Sequence, residues 1–163
     1  MPLSVGGRDM NEGFLGTQAP RYADVVLLLE IFMGAGLLVG ALLARRQRFR
    51  AHAWCQSLIV LANLIVIVAL MVPSFHSHVL PRIPLKLGKA YYALATAHAA
   101  LGTVTEFAGL YILLAAGTKL LPEEFRITRY KLWMRTVLVL WWVVLLLGSA
   151  TYARWYVPQL FRK

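Results

Sequence analysis

The side chains that could do chemistry in this sequence are few, and most are histidines and carboxylates set in apolar runs. The histidines are His52, His76, His78 and His98. Imidazole suits both copper and haem iron. His76 and His78 form a His-Ser-His pair just after Pro73, and a segment folding inward would bring them to His98. These three are therefore the candidate metal or haem ligands. Glu30 and Glu106 are costly in an apolar run, because a carboxylate there needs a partner or a proton. His98 is the available partner for Glu30, in the manner of a carboxylate that orients a ligating imidazole or a buried pair that fixes packing. Asn63 is the available partner for Glu106. His52, Gln56 and Asn63 fall within about 40° of one helical face, a polar stripe. That stripe makes interhelical hydrogen bonds or lines a ligand or quinone pocket near the inner surface. His52 and Cys55, three positions apart, supply only two ligands. The five methionines do not cluster as thioether ligands. No phosphate loop, nucleophile elbow or HExxH motif is present, so the chain is expected not to be an enzyme.

Such residues need elements to position them, and composition says what those are. Of 163 residues, 60% are hydrophobic and 15% charged, against about half and a quarter in a soluble domain. So much apolar surface excludes disorder. A nucleic-acid partner is not expected despite the net charge of +10, which suits anionic lipid headgroups. A single cysteine, Cys55, excludes a disulfide framework and a Cys-rich zinc site. One integral membrane domain remains. Four stretches have the ~20 apolar residues a membrane helix requires: Val25 to Ala44, Ala53 to Pro73, Ala90 to Gly117 and Thr136 to Ala153. The runs do not alternate, so the expected fold is an all-α four-helix bundle rather than a barrel. Counting rise places Glu106 and Asn63 near mid-membrane, with Glu30 and His98 ~7 Å further out. His52 and His98 then lie ~24 Å apart along the membrane normal and cannot share one iron.

Orientation follows basic residues. The links after helices 1 and 3 carry Arg45, Arg46, Arg48, Arg50, Lys119, Arg126, Arg129, Lys131 and Arg135. The other side carries Arg8, Arg21, Arg82, Lys86, Lys89, Arg154, Arg162 and Lys163. Totals hardly differ, but the dense RRQRFR link is a strong stop, so both termini are expected outside. Tyr22, Tyr91, Tyr92, Trp155 and Tyr156 would mark the outer interface, with Trp54 and Trp133 at the inner one. Residues 1–22 form a polar segment unlike a cleavable signal peptide, residues 23–157 the membrane domain, and residues 158–163 a short basic tail. The link PSFHSHVLPRIPLKLGKAYY is too proline-rich to be one helix and is expected to lie along the membrane surface. Gly34, Gly36 and Gly40 on helix 1, and Ala95, Ala99, Gly102 and Gly109 on helix 3, let backbones approach. No internal repeat or broken helix supports a transporter.

The basic link running into His52, a histidine after helix 2 (His76 or His78), His98, and then Arg135, Trp141, Gly148 and Tyr152 form a pattern spread over residues 23–157. It resembles the small four-helix membrane protein family that includes the cytochrome oxidase maturation factor CtaM. Gln56 stands where that pattern would have Met, and Tyr130 where it would have His. The resemblance implies a multi-pass protein of a prokaryotic inner membrane that assists maturation of a haem–copper oxidase, with a terminal oxidase as partner and a haem or copper site near the outer face. Two other functions fit the residues. One is a structural subunit of a larger respiratory or photosynthetic complex. The other is a small redox subunit with its own b-type haem or quinone pocket.

Overall fold

The computed structural model describes residues 13–86, 88–118, 122, 124, 128–157 and 159. Helix α1 is Arg21–Arg45 and α2 is Phe49–Val66. A turn of π-helix, Ile67–Met71, carries α2 into α3, Val72–His78. A 3-10 turn (Leu80–Arg82) and the short α4 (Ile83–Lys86) lead to α5, Ala90–Gly117, and α6 is Tyr130–Tyr156. No strand occurs among the described residues. The fold is all-α, and four helical rods are long and apolar enough to cross a membrane: Arg21–Arg45, Phe49–Arg82, Tyr92–Gly117 and Tyr130–Tyr156.

α1 packs on α2 and α6, and α5 packs on α6 and α2. Sequential spans are thus neighbours, as short links demand, and the ring closes between first and last. The first link needs only Arg46 to Arg48. Gln47 turns it with φ at +59°, and the amides of Gln47 and Arg48 cap α1 on Ala44 O and Leu43 O at 3.1 and 2.9 Å. At the other end of the bundle, Gln18 N donates to Tyr156 O at 3.2 Å, so the start of α1 and the end of α6 lie together.

Met33 and Leu37 of α1, Ile59, Val60 and Val66 of α2, and Val137 and Trp141 of α6 form the central core. The expected close packing at glycines is present, on two different partners. A Cβ on Gly36 would stand 2.8 Å from Ile59 of α2, and one on Gly34 2.8 Å from Leu145 of α6. Outward, Phe32, Leu58, Ile65, Phe107, Val139 and Leu146 are each between 62% and 72% exposed. A belt of large apolar side chains on every span is a lipid-facing surface, since water would make it a single aggregating patch.

Two expectations need correction. The second span does not stop at Pro73; it continues as helix to His78, so the His-Ser-His pair is helical and not part of a surface-lying link. Pro73 is tolerated because it follows directly on the π-turn, where the hydrogen-bond register changes and a missing N–H breaks no regular α-helical bond. The spans also begin earlier than apolar counting put them, at Arg21 and Tyr130. A helix runs on through polar residues once its apolar segment holds it, and window counting stops at the first of them. Residues 1–12, most of the 158–163 tail, Lys119, Arg126 and the side chain of Tyr91 lie outside the described residues.

Candidate functional site

The polar groups inside the bundle fall at three levels. At the level of the basic first link, three α2 side chains bond to the backbone of α1. His52 Nδ1 donates to Gly40 O at 2.8 Å, Gln56 Nε2 to Leu37 O at 3.2 Å, and Cys55 Sγ to Gly36 O at 3.4 Å. Gly40 permits this, because a Cβ there would collide with the Gln56 amide. His52, Cys55 and Gln56 are therefore interhelical fasteners in this arrangement.

Midway along the bundle, Asn63 of α2 and Glu106 of α5 meet as their heights require: Asn63 Nδ2 donates to Glu106 Oε2 at 2.9 Å. Both are buried, at 7% and 5% exposed. The bond uses one atom of each. Asn63 Oδ1 and Glu106 Oε1 are buried acceptors without a partner. Glu30 of α1, also buried, lines the same cavity as these two residues.

Further toward the other end, His98 of α5 does not pair with Glu30. Its Nδ1–H donates instead to Val144 O of α6 at 3.0 Å. The ring fits because residue 148 is glycine: a Cβ there would lie 2.9 Å from His98 Cε1. Fixing the proton on Nδ1 leaves Nε2 as the free, ligating nitrogen. The second and third of these levels are joined by a cavity of about 620 Å³. It runs from Asn63, Glu106 and Glu30, past His98 and Gly148, to His76 and Tyr22. The volume suits a ligand of drug or cofactor size, and the walls are mostly apolar side chains of α1, the π-turn, α5 and α6.

His76 lines the cavity, whereas exposed His78 is turned to its own helix, with Nδ1 donating to Ser74 O at 3.1 Å. Among the described residues no three His, Cys, Asp or Glu side chains converge to hold an ion. The donor set does not fit a three-histidine copper centre of His76, His78 and His98. It fits a ligand held by one oriented imidazole, His98. No family model, curated protein or solved structure matches the chain.

Sequence reasoning missed Asp24. It is fully buried and its Oδ2 accepts from Phe14 N and Leu15 N at 2.7 and 2.9 Å. Oδ1 accepts from Tyr152 OH at 2.5 Å, and that hydroxyl also meets Thr17 Oγ1 at 2.7 Å. The carboxylate thus ties the loop of residues 13–20 to α6 across the cavity end. The signal available was a lone acid one residue before an apolar run. Apolar counting starts the span at Val25 and leaves Asp24 just outside it.

Proposed function

We propose that this protein is a membrane-embedded maturation factor for a haem–copper respiratory oxidase in a prokaryotic inner membrane. One observation carries the proposal. Of the residues behind the family resemblance, His76, His98, Trp141, Gly148 and Tyr152 all line the same cavity. Residues scattered over three spans in sequence have a shared role if that cavity is where the protein works. His98 is the side chain to hold an iron-bearing cargo there, since Val144 O orients its ring and Gly148 makes room for it. Haem would be the hydrophobic cargo and the oxidase its destination. The protein itself needs only to hold, orient and shield it from water.

The test is a deletion strain complemented with His98→Ala. Assembled oxidase and its activity should fall at least tenfold while the variant remains in the membrane at the normal level. Normal oxidase in that strain overturns the proposal. A second reading, a structural subunit of a larger complex, is favoured by the incomplete ligand set among the described residues. It expects tolerance of His98→Ala and co-purification at fixed stoichiometry.

A further inference from the structure

The deep end of the cavity has a chemistry of its own. Two buried acceptors there have no partner, Asn63 Oδ1 and Glu106 Oε1, and the Glu30 carboxyl lines the same end. The Asn63 amide gives one of its two hydrogens to Glu106 Oε2. A buried acceptor left unpaired is costly, and here there are two, on residues more than nine-tenths buried. Such a site is completed by a molecule that brings donors.

Its surroundings narrow the molecule further. The site lies within spans that cross the membrane, so the ligand arrives through or along lipid. The walls are apolar, with Ile67, Leu70, Met71 and Trp141 near the deep end. An anionic head, such as a fatty acid carboxylate or a haem propionate, would meet two carboxyls and is excluded from leading the way in. A quinone offers only acceptors. A lipid-soluble hydroquinone offers two hydroxyl donors on a flat ring with an apolar tail, and about 620 Å³ holds the ring and the start of the tail. We infer that the Glu30–Asn63–Glu106 end of the cavity is a subsite for a membrane hydroquinone, whose hydroxyls donate to these acceptors. The inference rests on reading the cavity as a ligand site and does not need the oxidase role.

The experiment uses the purified full chain in lipid nanodiscs, titrated anaerobically with decylubiquinol and separately with decylubiquinone, and followed by tryptophan fluorescence. Decylubiquinol should bind saturably, one per chain, and at least tenfold more tightly than the quinone. Glu30→Gln places an amide donor beside the two unpaired acceptors and should reduce that preference at least tenfold. Glu106→Gln, whose amide oxygen can keep the Asn63 bond, should do the same. Glu30→Gln guards against misfolding, because Glu30 bonds to no helix partner. Equal or tighter quinone binding, an unchanged preference in both variants, or no saturable binding overturns the inference. Failure here with a positive His98→Ala result in cells would leave the maturation proposal standing, and the converse would remove only the oxidase.

Discussion

Removing the Asp24 carboxylate would strand the amides of Phe14 and Leu15 and cost the hydroxyl of Tyr152 one of its two partners. Each stranded donor costs about 1–3 kcal/mol where water cannot reach it. Asp24→Ala should therefore lower the unfolding midpoint in detergent markedly and open residues 13–20 to protease. Tyr152→Phe, which deletes one donor and leaves the two amide bonds, should cost about 1 kcal/mol and leave the loop protected. Equal effects of the two changes would mean that the loop is held by something other than Asp24. Legibility at this scale depended on the kind of partner. The Glu106–Asn63 bond was foreseeable because both are side chains and helical rise puts them at one height. The partner of His98 was not, because Val144 offers a backbone carbonyl and any residue type could have stood there. The start of α1 was missed for the same reason, since Asp24 satisfies loop amides that carry no side-chain signature.

At the scale of elements the π-turn, Ile67–Met71, is the feature that shapes the cavity. A π-turn amounts to one residue more than a regular helix would hold, and it is common where a helix is bent to function. Ile67, Leu70 and Met71 line the cavity, as do Ser74, Phe75 and His76 beyond them. Deleting Val68, which is 62% exposed, would let the segment relax to α-helix. Everything beyond would then rotate by about 100° and move by about 1.5 Å, taking His76 and Phe75 off the cavity wall. The variant should insert and stay monodisperse, yet lose decylubiquinol binding and oxidase support at least tenfold. Full retention of both would show that the turn has no part in the site. Sequence gave the number of spans and the α5 limits correctly because apolar length alone determines them. It put the end of the second span at Pro73 because proline usually stops a helix, and a register change next to it leaves no compositional mark.

The whole molecule has two unlike ends, and which faces the cytoplasm decides where the cavity is supplied from. Arg45, Arg46, Arg48 and Arg50 crowd the α1–α2 link, and Arg129, Lys131 and Arg135 stand at the start of α6 on that same end. The opposite end has Arg21, Arg82, Lys86, Lys89 and Arg154, spread over four elements. Positive residues act most strongly when close to a helix end in a short loop, and the first link is the shortest and most basic. The cavity approaches the opposite end, at Tyr22 and His76. The expected orientation therefore directs it to the outer face, with the His52 fasteners inside. Cys55→Ser removes the only native thiol, at the loss of one long bond to Gly36 O. On that background Gly88→Cys, an exposed site with open space around it, should react with a membrane-impermeant maleimide in intact cells. Gln47→Cys should react only after lysis. The reverse pattern would place the mouth of the cavity in the cytoplasm, where a cargo made inside the cell could enter directly and the outer histidine His76 would become the first imidazole it meets.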